Sequence, residues 1–185
     1  MHRLKVEQGA AVICYTNAEK VVGMGKLAEP LEKLIYSKEN EWKYNNKVFL
    51  VYGHDTKAEC EIENMIRKWG LTPLAIDNLP TEGRTIIEQL EKYIPKANYG
   101  IVLATPDDLG RSKESKDEKY RARQNVILEM GMLFAKFGRK RVAVIIKQSN
   151  FEKPSDIEGI LYFPYKDSIE ELEKKLSVEL KKCGY

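Results

Sequence analysis

Five consecutive apolar residues, Val48-Phe49-Leu50-Val51-Tyr52, stop abruptly at Gly53. A run too short for a typical helix, and apolar at every position, is the pattern of a strand buried on both faces. The pattern recurs at Pro73-Leu74-Ala75-Ile76, Gly100-Ile101-Val102-Leu103-Ala104, Val142-Ala143-Val144-Ile145-Ile146 and Ile160-Leu161-Tyr162-Phe163. Between these runs the apolar residues change to helical spacing. Ile62, Met65, Ile66 and Trp69 share one face, with Gly70 as the stop. Ile86, Ile87, Leu90 and Ile94 do the same over residues 84–94, and a long helix is expected from about 118 to 137. Residues 168–182 read as a charged amphipathic helix, with Ser168 as N-cap and Glu171 in the capping-box position.

Strands alternating with helices require right-handed crossovers and a parallel sheet. The expected fold is α/β: a five-stranded parallel sheet of flavodoxin-like order 2-1-3-4-5, flanked by helices. Such sheets bind ligands beyond the carboxyl ends of the strands, at the switch point between the first and third. The loops that reach this rim are 53–55, 77–83 and 105–111. The pattern begins at Lys47, so residues 47–185 form the expected domain. Residues 1–46 form an extension of unassigned role, with an apolar run at 10–15, a helix expected over 29–36 and a polar linker over 37–46.

Composition narrows the function classes. A net charge of +3, with basic and acidic residues interleaved as in Arg111-Ser112-Lys113-Glu114, is too mild and too mixed for a nucleic-acid track. No apolar run is long enough to span a bilayer, and the N-terminus lacks the apolar core of a signal peptide. The expectation is a cytoplasmic protein with neither nucleic-acid nor membrane partner. Three cysteines, far apart in the chain, read as reduced thiols. A single histidine in the patterned region argues against a His-rich metal site, and no metal is expected. There is no G-x-G-x-x-G, no complete P-loop around Gly23-Met24-Gly25-Lys26, no G-x-S-x-G and no C-x-x-C.

One residue stands against its neighbours. From Val126 to Ala135 every side chain is apolar or absent except Glu129. A helix apolar on nearly all sides is normally buried, and a carboxylate there is costly unless it is paired or has a task. Asn125 lies four residues before Glu129, and Arg121 is read as one turn earlier again. The three form either a solvated ladder at a helix start or a carboxylate oriented toward a sugar, and spacing alone favours the ladder. The apolar surroundings bring the two readings near parity.

Other candidates carry plainer alternatives. His54 and Asp55 end the first strand; Asp55 reads as the cap of the following helix, and His54 is left open. Arg84 near a helix N-terminus suits a phosphate, although a surface arginine is the commoner case. Asp107 and Asp108, after Thr105-Pro106, are turn residues before they are metal ligands.

Taken together, the segments 48–55, 83–88, 103–110, 121–131 and 154–159 resemble the prokaryotic TIR-like predicted nucleotide-binding family, in order and spacing, over roughly residues 47–182. That resemblance implies a TIR-type fold and makes Glu129 the counterpart of the glutamate that cleaves NAD. It implies that residues 77–84 form the assembly and gating loop, and that the chain forms homo-oligomers through TIR–TIR contacts. NAD is then the substrate, and no further cofactor is required. The residues expected to contact the nucleotide are His54, Asp55, Arg84, Thr105, Asp107, Arg121, Arg123 and Asn125. Family members act in anti-phage signalling, with assembly triggered by a sensor domain. Residues 1–46 are too short to read as a nucleotide sensor, which leaves the trigger unassigned. Two rival functions fit the same residues: a nucleoside deoxyribosyltransferase-like enzyme, which also uses a glutamate on sugar, and a non-catalytic nucleotide-binding or homotypic signalling module.

Overall fold

The computed structural model describes residues 46–114, 116–148, 152 and 160–185, together with the backbone of the strands Arg3–Lys5, Val12–Tyr15 and Val21–Met24. The chain divides into two compact units, Met1–Tyr44 and Asn45–Tyr185. In the first, those three strands form an antiparallel meander in chain order. The helix expected over 29–36, the linker over 37–46 except for its last residue, and the segment 154–159 lie outside the described residues.

The second unit is built on five parallel strands: β1 (Lys47–Tyr52), β2 (Thr72–Ala75), β3 (Tyr99–Ala104), β4 (Val142–Lys147) and β5 (Leu161–Tyr165). Their order in the sheet is β2-β1-β3-β4-β5, as the alternating pattern requires. Four helices connect or follow them: α1 (Thr56–Lys68), α2 (Ile86–Tyr93), α3 (Gln124–Phe137) and α4 (Glu173–Lys182).

The two-residue period of the strands sorts the core into two layers. Val48 and Leu50 of β1 face a cluster completed by Ile62 and Ile66 of α1 and Leu176 and Leu180 of α4. Phe49 and Val51 face the opposite cluster, with Leu90 of α2 and Val126, Met130 and Leu133 of α3. β3 is buried along its whole length, which explains why its sequence shows no polar alternation.

Two glycines let the parts that carry the cleft approach one another. At Gly100 of β3, an added Cβ would stand 2.8 Å from Leu133 Cδ1, so the absence of a side chain seats α3 directly on the sheet. At Gly53, just beyond β1, an added Cβ would collide with Oδ2 of Asp107 and lie 2.9 Å from Oγ1 of Thr105. The same Asp107 oxygen accepts hydrogen bonds from the His54 amide at 2.9 Å and the Thr105 hydroxyl at 2.8 Å. The exits of β1 and β3 are thus tied together by one carboxylate.

The helix expected from 118 begins six residues later. Lys119–Arg121 pairs as a strand with Asp108–Gly110 in a small antiparallel hairpin. The Arg121 guanidinium lies so close over Gly110 that a side chain there would collide with it. Helix α3 is also less enclosed than its composition suggests: Val126, Met130 and Leu133 are buried, but Leu128 is 52% exposed. At the other end of the chain, Ser168 and Glu171 form the expected capping box. It starts a 3-10 turn, Ile169–Leu172, and the α-helix follows that turn.

The Gly53→Ala variant tests the tie between β1 and β3. It forces Asp107 off the His54 amide and is expected to cost about 1–3 kcal/mol of stability, seen as a lowered melting temperature. Wild-type melting in this variant would show that the two exits do not meet.

Candidate functional site

A cleft of about 150 Å³ opens at the carboxyl end of β1. Its floor is the end of β1 with Gly53 and His54. One wall is Ile76 and Asp77, just after β2, and Ile86 at the start of α2. The other is the first half of α3, which contributes Asn125, Val126 and Glu129, with Arg123 just before it. The enclosed volume holds a ring-sized group; a larger ligand must extend over the rim.

Glu129 reaches this cleft for a local reason. Val126, Met130 and Leu133 are spaced to face the sheet, and Glu129 lies beside Val126 and Met130 at the boundary of that face. It is half-buried, and its pKa is raised from 4.5 to about 7. The largest cause is loss of water; the charge of Asp77 adds to it, and that of Arg123 opposes it. No hydrogen bond or ion pair to the Glu129 carboxylate is formed among the described residues. Asn125 shares the cleft but no hydrogen bond joins it to Glu129, so of the two readings the ladder is not formed.

Arg123 is the N-cap residue of α3, and its side chain makes no cap. Its Nη1 instead donates to Nε2 of His54, across the floor of the cleft. The first turn of α3 therefore presents amides without a side-chain cap, next to a guanidinium. That is an arrangement suited to an anion. The cleft thus holds a desolvated carboxylate and, a few residues away along the same helix, a positive end.

Of the residues expected to contact a nucleotide, His54, Arg123 and Asn125 line the cleft with Glu129. The others are placed elsewhere. Asp55 caps α1, accepting from the Ala58 amide at 3.1 Å, and pairs with Lys147 at 3.2 Å. Burial works against its ionisation, but the Ala58 amide and the Lys147 ammonium hold its pKa below the ordinary value. Thr105 and Asp107 brace the strand exits behind the cleft, as described above. Arg121 belongs to the hairpin, not to α3, and so is not one turn from Asn125.

Arg84 is also away from the cleft. It lies before the N-cap of α2 and pairs with Glu82. The amides at the start of α2 are already served by a capping box of Thr85 and Glu88, whose carboxylate would repel a phosphate. Glu82 has a positive φ of 49° and binds Lys92 at 2.7 Å as well as Arg84, which fixes the loop's shape. Asp77 is the functional candidate that motif reading missed. Its signal was available: it is the first polar side chain after β2, as His54 is after β1.

Comparison with known proteins places the family match within the second unit. The family model described as CAP12/Pycsar effector protein, TIR domain, matches residues 47–167. Uncharacterized protein YuaY of Escherichia coli K12 is 38% identical over 118 residues, covering 64% of this chain and 39% of YuaY. Protein tirC of Dictyostelium discoideum is 33% identical over 140 residues, covering 71% of this chain and 70% of tirC. The Pycsar effector protein PaPycTIR of Pseudomonas aeruginosa is 30% identical over 81 residues, covering 43% of this chain and 26% of the effector. The chain thus spans about two fifths of YuaY and about a quarter of the Pycsar effector.

The raised pKa of Glu129 has a consequence for stability. The folded protein holds this proton more tightly than the unfolded chain, so folding stability falls as pH rises from about 4.5 to about 7. Glu129→Gln lacks that loss. Above pH ~7 the variant is expected to be more stable than wild type by about 1–2 kcal/mol, and below pH ~4.5 the two should converge. The figure is set below the full shift because the group keeps partial contact with solvent. Denaturant titrations at several pH values check this; parallel curves for the two proteins would show that the carboxylate is solvated.

Proposed function

The chain belongs to the CAP12/Pycsar effector TIR-domain family, and from that footing we propose that it is an NAD glycohydrolase acting as an anti-phage effector. The observation that carries the proposal is Glu129, a half-buried carboxylate in the cleft at the carboxyl end of β1.

The reaction breaks the bond between C1′ of ribose and the nicotinamide nitrogen. Its transition state resembles an oxocarbenium ion, as in glycoside hydrolysis. A glycosidase needs an acid to protonate its leaving group. Nicotinamide leaves a cationic substrate as a neutral molecule, so the bonding electrons depart with it and no proton is required. One carboxylate then suffices. Glu129 accepts a hydrogen bond from a ribose hydroxyl and stabilises the positive charge that develops on the sugar. Water adds its oxygen to C1′ and releases a proton, giving ADP-ribose. Attack by the adenine nitrogen instead gives a cyclic product.

The remaining cleft residues fit this substrate. Ile76, Ile86 and Val126 supply an apolar seat for the nicotinamide ring. Arg123 and the start of α3 lie where a phosphate group can be held. A carboxyl with a pKa near 7 responds to the cationic ring: the positive charge favours ionisation, so binding makes the group reactive. In this reading the nicotinamide ring enters the cleft, with its ribose against Glu129 at the mouth, and the rest of the dinucleotide extends over the rim. Assembly through the 77–84 loop is part of the proposal, because Ile86 and Ile87, just after that loop, are 53% and 42% exposed.

The test incubates purified protein with NAD over a range of protein concentrations, with a crowding agent, and separates the products by chromatography. Nicotinamide and ADP-ribose, or its cyclic form, are expected. Glu129→Gln should lower the rate by at least about 10³ while the protein stays folded. Activity retained in that variant removes Glu129 from the mechanism. A deoxynucleoside offered with a free base distinguishes the deoxyribosyltransferase reading.

The pH profile gives a second check. Because Glu129 must be ionised, kcat/KM should rise with pH through a limb near 7. A flat profile between pH ~5 and ~8 would separate catalysis from this carboxylate.

A further inference from the structure

A second cavity, of about 460 Å³, lies at the other end of the sheet. It is bounded by the 3-10 turn Arg139–Arg141 that leads into β4, by Leu161 at the start of β5, and by Glu179, Lys182 and Cys183 at the end of α4. β4 begins here and ends near the cleft side, so the two cavities are separated by the length of the parallel strands. At 1.5 Å per residue, the 14 residues of α3 span about 20 Å between Arg123 and Arg139. None of the residues that line one cavity lines the other.

The lining is strongly one-signed. Four cations, Arg139, Lys140, Arg141 and Lys182, face one carboxylate, Glu179. Glu179 is engaged by Lys182 at 2.7 Å. Arg141 donates through Nη1 to the Asn98 carbonyl at 3.3 Å. Arg139 and Lys140 are exposed and have no carboxylate partner among the described residues.

Cations at helix C-termini are commonplace, because they offset the negative end of the dipole. Two such ends lie here, those of α3 and α4. Each amounts to roughly half a charge; with Lys182 matched by Glu179 and Arg141 engaged elsewhere, together they offset about one of the two charges of Arg139 and Lys140. The surplus remains. The cavity also has an apolar element, Leu161 and the half-buried Cys183, whose thiol donates to the Lys140 carbonyl at 3.5 Å. Burial raises the Cys183 pKa despite the nearby charges of Arg141 and Lys182, which marks this corner as partly dry.

We infer that this cavity is a second ligand site, which takes a small phosphorylated molecule of mononucleotide size. The anionic end meets Arg139 and Lys140, and an apolar ring rests on Leu161 and Cys183. The volume falls within the range of small-molecule pockets. The cations are gathered in a hollow and not drawn out along a track, which favours a compact ligand over a nucleic-acid strand. The proposal is independent of NAD cleavage and of Glu129.

The test is a protein-detected NMR titration of the full chain with AMP, inorganic pyrophosphate and adenosine. AMP should shift the amides of Lys140, Arg141 and Cys183 saturably, with a Kd below about 1 mM. Pyrophosphate should shift the Arg139–Arg141 turn, and adenosine should bind at least about tenfold more weakly than AMP. The double variant Arg139→Glu/Lys140→Glu, at exposed positions where folding is little affected, should weaken AMP binding at least about tenfold. The milder Arg139→Gln/Lys140→Gln pair should weaken it less. Shifts confined to residues 53–54 and 123–129 would assign AMP to the cleft and overturn the proposal. Adenosine binding as tightly as AMP, equal affinity in the double variant, or no saturable binding would overturn it as well.

Discussion

The site depends on the desolvation of one carboxylate. α3 must lay Val126, Met130 and Leu133 on the sheet, and Gly100 lets it do so at close range. Once that face is fixed, Glu129 has no route to bulk water comparable to that of a surface residue, and burial is the largest cause of its raised pKa. The nearby charge of Asp77 strengthens the effect and Arg123 moderates it. The result is a group whose charge depends on what enters the cleft, because a cation there restores the stabilisation that water would have given.

The strand exits supply the frame. Thr105 and Asp107 do not line the cleft, but with Gly53 they fix the turn that presents His54. Asp55 and Lys147 fasten the start of α1 to the end of β4 in the same way. Polar residues around the rim thus divide into two groups. Some, such as His54, Arg123, Asp77 and Glu129, face the hollow. Others spend their hydrogen bonds on holding the rim rigid, which is what a preorganised site requires.

Much of this was legible in the sequence. Buried parallel strands leave continuous apolar runs, so β1, β3 and β4 and their order could be read directly. Gly70, Ser168 and Glu171 gave correct helix boundaries because caps are local chemistry. The hairpin of Asp108–Gly110 with Lys119–Arg121 was not legible. Its strands are three residues long, and its pairing crosses a charged loop, so no local period reveals it. That error moved Arg121 onto a helix it does not join. Arg84 does stand at the start of α2, as read, but it pairs with Glu82 and does not line the cleft, which its spacing along the chain could not show. Asp77 was missed because its partner in electrostatics, Glu129, is distant in sequence, and only the parallel crossover brings them together.

The central claim is that the carboxyl of residue 129 meets the sugar whose bond is broken. A crystal structure of the Glu129→Gln variant soaked with NAD tests this most directly. The account predicts that the nicotinamide-bearing ribose lies within hydrogen-bond distance of the residue 129 side chain, with the nicotinamide ring against Ile76, Ile86 and Val126. A dinucleotide bound with that ribose elsewhere, or with its adenine end in the cleft, would contradict it.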